Sequence, residues 1–198
     1  MAYNKFTLEK VIDDFQIKVV AWDDVLDNIA PKTPSTFLQA VLKEYAPLGL
    51  AIGTEKARSE YIIAPILAEL RSITGKQISI FSGKTMNVDA KLGLSGICDY
   101  LISKDPEQYA LRFPILAIVE AKQDNLEGGV GQCAAEMIAA TMLNKKKNKS
   151  TEVMYGAVTT GNMWKFLKLE GTTLYNQTAP VSMTQLDIIL GVLLKMML

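Results

Sequence analysis

Apolar residues at Val11, Ile12, Phe15 and Val19 recur at helical spacing and predict a helix over 6–20. Pro31 and Pro34 then interrupt the chain. A second helix is expected over 36–45, capped by Thr33 or Ser35 and ended by Pro47-Leu48-Gly49. From Thr54, a capping residue, a helix is predicted to about Ser72, its face formed by Tyr61, Ile62, Pro65, Ile66 and Leu70 and kinked at Pro65. Short strands are predicted over 77–81 and 94–103. The segment 113–121, FPILAIVEA, is apolar nearly throughout, which marks a strand inside a sheet. An Ala-rich helix follows over 128–143. Two strands, 151–160 and 163–169, are joined by the hairpin signal Thr160-Gly161-Asn162, and a helix over 183–197 closes the pattern.

The order from Thr54 is helix, three strands, helix, two strands, helix. Strands cluster ahead of the second helix, so the expected fold is α/β with a mixed central β-sheet flanked by helices, not a regular βαβ winding. The 198 residues suit a single domain. Residues 1–48 are expected as an α-helical N-terminal extension, 54–169 as the core and 182–197 as a C-terminal helix.

Composition narrows the chemistry. The chain has no histidine, which excludes Ser-His-Asp and Cys-His catalysis and most zinc sites. Cys98 and Cys133 lie apart among apolar or small residues and are expected as buried free thiols. A bound metal must therefore be held by oxygen, which favours Mg²⁺, Mn²⁺ or Ca²⁺. The formal net charge is zero, so the chain as a whole is no electrostatic trap for nucleic acid. Charge is uneven, however, with a basic cluster at Lys145, Lys146, Lys147 and Lys149. No apolar stretch is long enough to cross a bilayer. The start of the sequence lacks the pattern of a secretory signal, and a cytoplasmic protein is expected. Residues 186–198 are more apolar than one helical face requires. Either the N-terminal helices or a second copy covers them, and a homodimer is the expectation.

Three residues stand out. Glu120 and Lys122, two apart at the end of an apolar strand, point to the same side. Asp99 interrupts the apolar run Gly96-Ile97-Cys98-Asp99-Tyr100-Leu101-Ile102, and alternation sets it on one face with Ile97 and Leu101. A carboxylate in such a place is costly unless paired or bound to a cation. A Glu on the next strand with a divalent ion between the two supplies the reason. Gly129-Val130-Gly131-Gln132-Cys133-Ala134 also fits the glycine pattern of a dinucleotide loop, but residues 123–128 separate it from the strand, where that loop needs its first glycine at once. These glycines are read as letting the backbone turn into the helix.

The segments SGICDYLI (95–102), PILAIVEAK (114–122) and GQCAAEM (131–137) resemble the core motifs of the PD-(D/E)XK nuclease superfamily. YGAVTTGNMWKFLKLEG (155–171) resembles bacterial proteins related to the N-terminal part of type I restriction subunits. The likeness spans about 54–169, with Cys98 where the family has a proline before the aspartate. It implies a restriction endonuclease-like fold and metal-dependent hydrolysis of phosphodiester bonds in nucleic acid, with DNA expected. By the same resemblance Asp99 and Glu120 hold Mg²⁺ or Mn²⁺, Lys122 stabilises the attacking hydroxide or the developing charge, and Gln132 orients water or Lys122. Glu60 joins from the preceding helix as a further metal ligand, with Glu55 as its alternative. Lys145, Lys146, Lys147 and Lys149 are the expected nucleic-acid contacts. The alternative reading is a non-catalytic nucleic-acid-binding or scaffold module on the same fold.

Overall fold

The computed structural model describes residues 3–198. In chain order the elements are α1 (Leu8–Phe15), β1 (Lys18–Ala21), α2 (Thr36–Ile52), α3 (Glu55–Arg58), α4 (Ala64–Ile73), β2 (Ser79–Asp89), β3 (Leu94–Ser103), β4 (Ile115–Ala121), α5 (Leu126–Lys146), β5 (Val153–Thr159), β6 (Met163–Glu170), β7 (Thr173–Asn176), β8 (Val181–Ser182) and α6 (Leu186–Lys195). The strands form one eight-stranded sheet in the order β1-β7-β6-β5-β4-β3-β2, with β8 also paired to β6. Only β1–β7 and β4–β5 are parallel. The fold is therefore mixed α/β, with a central multi-stranded sheet flanked by helices.

The sheet has a core on each face. One packs Leu38 and Leu42 of α2, Ile66 and Leu70 of α4 and Ile189 and Leu190 of α6 against Tyr100, Val119 and Phe166. The other packs Val11 of α1 and Val130 and Met137 of α5 against Leu101, Ile118 and Val158. Ile118 and Val119 are neighbours on β4 and serve opposite cores, the period-2 alternation of a strand buried on both sides. The α6 side chains are spent on this chain's own core: Ile189, Leu190, Val192 and Leu193 are all buried. Most of the apolar C-terminal run is thus buried against this chain's own core, while Leu198 stays exposed.

Several elements differ from expectation. The helix predicted over 6–20 stops at Phe15, because Gln16 takes a left-handed conformation (φ 56°) and its N–H closes on the Ile12 carbonyl. The β-branched residues that follow suit a strand, and β1 pairs with β7 at the sheet edge. Residues 1–48 therefore contribute a strand to the main sheet as well as helix. Pro47 does not end α2, which runs on to Ile52 and is capped by Gly53 at φ 75°. Pro47 is exposed, so the carbonyl it leaves without an N–H faces water. Between α3 and α4, residues Ser59–Ile63 form one π-turn closed by the Ala64 N–H on the Ser59 carbonyl. Pro65 offers no N–H to the turn behind it, and this widened turn absorbs the mismatch where a kink was expected. β7 has no counterpart among the predicted strands; Gly171 at φ 57° makes the tight hairpin that returns it onto β6.

Gly129 and Gly131 lie inside α5 and do not form the turn into it. A Cβ on Gly129 would come within 2.6 Å of Val158 and 3.0 Å of the Lys122 stem; on Gly131 it would lie 2.3 Å from the Thr7 backbone. These glycines let α5 press onto the sheet and let the N-terminal segment cross α5. No helix among the described residues is long and apolar enough to cross a membrane.

Candidate metal centre

β2, β3 and β4 form an antiparallel meander. Register pairs Tyr100 with Val119 and Leu101 with Ile118. One step further, that register sets Asp99 opposite Glu120 at the end of β4. The alternation expected for β3 breaks at this point. Cys98 and Leu101 belong to the same core, whereas Ile97 is exposed. The break falls at Asp99, across from Gly83, whose φ is 61°. It turns the Asp99 carboxylate towards the strand end, where Oδ2 accepts the Ala121 N–H at 2.8 Å.

Glu120 is 1% exposed. Its Oε1 accepts from Lys122 Nζ at 2.5 Å, and its Oε2 is buried with no partner. Lys122 also donates to Gln132 Oε1 at 3.3 Å and stands 3.8 Å from Glu55 Oε2. Gln132, in the second turn of α5, passes its own amide N–H to Glu136 Oε1 at 3.2 Å. Sequence reasoning misses Glu136. It is fully buried, with Oε2 unpartnered. A signal for it exists in the sequence: one acid inside the small, apolar run Cys133-Ala134-Ala135-Glu136-Met137-Ile138-Ala139-Ala140.

The electrostatics share one cause. Burial raises the Asp99 carboxyl pKa, opposed by the Ala121 N–H and by the Lys122 ammonium. Burial, then Glu136 and Asp99, push Glu120 well above the ordinary range against the pull of Lys122. Burial is also the main reason that Glu136 is raised to about 8, with the Gln132 amide holding it down and Asp99 pushing it up. Burial works against the Lys122 ammonium, but Glu120, Glu55 and Asp99 outweigh it and its pKa is raised. The site is thus a cluster of carboxyls short of positive charge, with one lysine fully charged among them.

The cleft over this cluster has two adjoining lobes that share Glu55 and Asp99. The larger, about 550 Å³, is lined by Glu120, Lys122 and Gln132 and walled by Tyr3 and Asn4. The smaller, about 280 Å³, is lined by Ser59, Glu60 and Tyr100. Glu60 therefore lies on the same cleft, but it is half exposed and paired with Lys56 at 2.6 Å. Glu55, the alternative, is the helix acid that reaches Lys122. The basic cluster lies elsewhere. Lys145 and Lys146 end α5, and the helix carries them roughly 20 Å from Gln132 at about 1.5 Å per residue. That end is pinned to the start of β4 by Asn144, which bonds both the N–H and the carbonyl of Ile115.

Among the described residues no three histidine, cysteine, aspartate or glutamate side chains converge to hold an ion by themselves. A cation bound here would have Asp99 and Glu120 as its carboxylate ligands. Mg²⁺ suits such a set, because it keeps several waters and commonly binds through one or two carboxylates plus substrate oxygens. The unpartnered, buried Glu120 Oε2 fits that role, since a cation would supply the missing partner. No protein-family model matches the chain, and no curated protein does.

Proposed function

We propose that this protein is a divalent-metal-dependent nuclease of the PD-(D/E)XK type, with a restriction endonuclease-like core, that hydrolyses phosphodiester bonds of nucleic acid, DNA in the first instance. The observation that carries this reading is the convergence of Asp99, Glu120 and Lys122 on one cleft, with a buried Glu120 oxygen left unpartnered. Such a cluster is unfavourable in itself, and a bound cation accounts for it.

Asp99 and Glu120 would hold Mg²⁺ or Mn²⁺, and the bound ion supplies polarisation of the scissile phosphate and a more acidic water. The other groups act through their own chemistry. Lys122 stays protonated, so it presents a fixed positive charge where negative charge develops on the phosphate or its attacking oxygen. The Gln132 carbonyl holds that ammonium in place. The Ala121 N–H anchors one Asp99 oxygen and leaves the other free to face the cleft. Glu55, at the mouth of both lobes, serves better as an outer acid than Glu60, whose charge is already engaged by Lys56. Lysines at the far end of α5 would meet a phosphate backbone some distance from the cut, in a salt-sensitive way.

The test is incubation of purified protein with linear duplex DNA, single-stranded DNA and RNA, with Mg²⁺, Mn²⁺, Ca²⁺ or EDTA. Cleavage with Mg²⁺ and Mn²⁺, little with Ca²⁺, and none for Glu120→Ala is expected. Binding of nucleic acid without cleavage under every condition would overturn the reading in favour of a non-catalytic module. Equal fragment release by wild type and Glu120→Ala would trace the activity to a contaminant.

A further inference from the structure

We infer that Glu136 is a positioning residue, which orients the Gln132 amide and through it fixes the Lys122 ammonium against Glu120. A glutamine amide has two unlike ends, and an ammonium can only donate. To receive Lys122 Nζ, Gln132 must turn its carbonyl oxygen towards the cleft. Its NH₂ group then points away from Lys122 to the fully buried Glu136. An amide N–H buried there needs an acceptor. Glu136, one helical turn along on the same face, supplies it through Oε1 at 3.2 Å.

The cost of that acceptor is visible. Glu136 is completely buried and its second oxygen has no partner. The hydrogen bond from Gln132 offsets part of this desolvation. Glu136 does not line the cleft. Its hydrogen bond in the site is to Gln132, so its positioning role runs through that amide. The relay runs Glu136, Gln132, Lys122, Glu120, from the interior to the strand end.

The test compares Glu136→Leu, Glu136→Gln and Gln132→Leu in the full chain. In ¹⁵N spectra the Gln132 side-chain amide of the wild type is expected to exchange slowly, protected by its bond to Glu136. Glu136→Leu speeds that exchange by about 5-fold to 10-fold, the equivalent of one hydrogen bond, and Glu136→Gln, which keeps an acceptor oxygen, restores protection. Mn²⁺ affinity stays near the wild-type value in all three variants. The rate arm rests on the nuclease reading: Glu136→Leu lowers single-turnover cleavage about 10-fold to 100-fold, Gln132→Leu does the same, and the double variant loses no more. Unchanged amide exchange in Glu136→Leu overturns the inference, and so does loss of Mn²⁺ binding, which would make Glu136 a ligand. If Glu136→Leu does not fold, Glu136→Gln decides, since loss of amide protection there is equally fatal. If the wild type cuts nothing, the nuclease reading fails while the amide measurement still decides the role of Glu136.

Discussion

Glu120 and Lys122, two residues apart on one strand end, meet at 2.5 Å, and their contact leaves the second Glu120 oxygen buried without a partner. One positive charge is shared among Glu120, Glu55 and Asp99, with Glu136 behind them. This imbalance drives the stability behaviour expected of the protein without metal.

The first prediction concerns pH. Asp99, Glu120 and Glu136 all have carboxyl pKa values raised by burial in the folded protein. An acid raised on folding stabilises below its unfolded pKa, and that contribution is lost as pH climbs through the folded value. For Glu136 the loss falls between pH 4.5 and about 8. In EDTA, Glu136→Gln should therefore gain stability relative to wild type as pH rises from 5 to 8, by on the order of a few kcal/mol. Calorimetric Tm values for the two proteins across that range check this, and a constant difference would contradict it.

The second concerns Gly131. An alanine there puts a methyl 2.3 Å from the Thr7 carbonyl carbon and 2.4 Å from the Leu8 nitrogen, both backbone atoms that cannot rotate away. Gly131→Ala should cost about 1–3 kcal/mol through overpacking and loosen the segment around Tyr3 that walls the cleft. Limited proteolysis should nick residues near the N-terminus of the variant sooner than in wild type. A Tm and a cleavage pattern equal to wild type would show that α1 can lift without cost.

The third concerns the basic end of α5. Lys147 lies over the Phe113 ring at 5.8 Å, so Lys145, Lys146 and Lys149 are the ones to neutralise without disturbing packing. Their change to glutamine should flatten the dependence of log affinity on log salt for long duplexes, by up to about 0.9 for every phosphate that is no longer neutralised. Cleavage of a short duplex at saturation should not change, because this end of the helix lies roughly 20 Å from the acidic site. A fall in that saturated rate would place the lysines closer to the chemistry than their position on the helix allows.

Much of this arrangement is legible in the sequence because strands declare themselves by parity. The apolar run into Glu120 marks β4, and the same rule sets Glu120 and Lys122 on one side. Asp99 is visible as a charge in an apolar strand, although the break opposite Gly83 that aims it is a tertiary feature. What escapes does so for physical reasons. Residues 17–20 carry apolar positions that also fit a helix, and only the left-handed Gln16 separates helix from strand. The π-turn at 59–63 shifts the phase of every side chain beyond it, so regular helical counting cannot choose between Glu55 and Glu60. Glu136 escapes because its place in the apolar run 133–140 signals burial only once the helix is seen to be packed on both sides. The separation of the lysine cluster from the site follows from the length of α5 and its pinning at Asn144, neither of which local pattern reveals.

If Asp99 and Glu120 together hold a divalent cation beside Lys122, titration calorimetry with Mn²⁺ on the wild type, Asp99→Ala, Glu120→Ala and Lys122→Ala will reveal it. The wild type should bind Mn²⁺, either carboxylate substitution should abolish binding, and Lys122→Ala should keep it, because an ammonium is no ligand. Absence of Mn²⁺ binding by the folded wild type, or binding that survives Glu120→Ala undiminished, would contradict a metal centre at these two carboxylates.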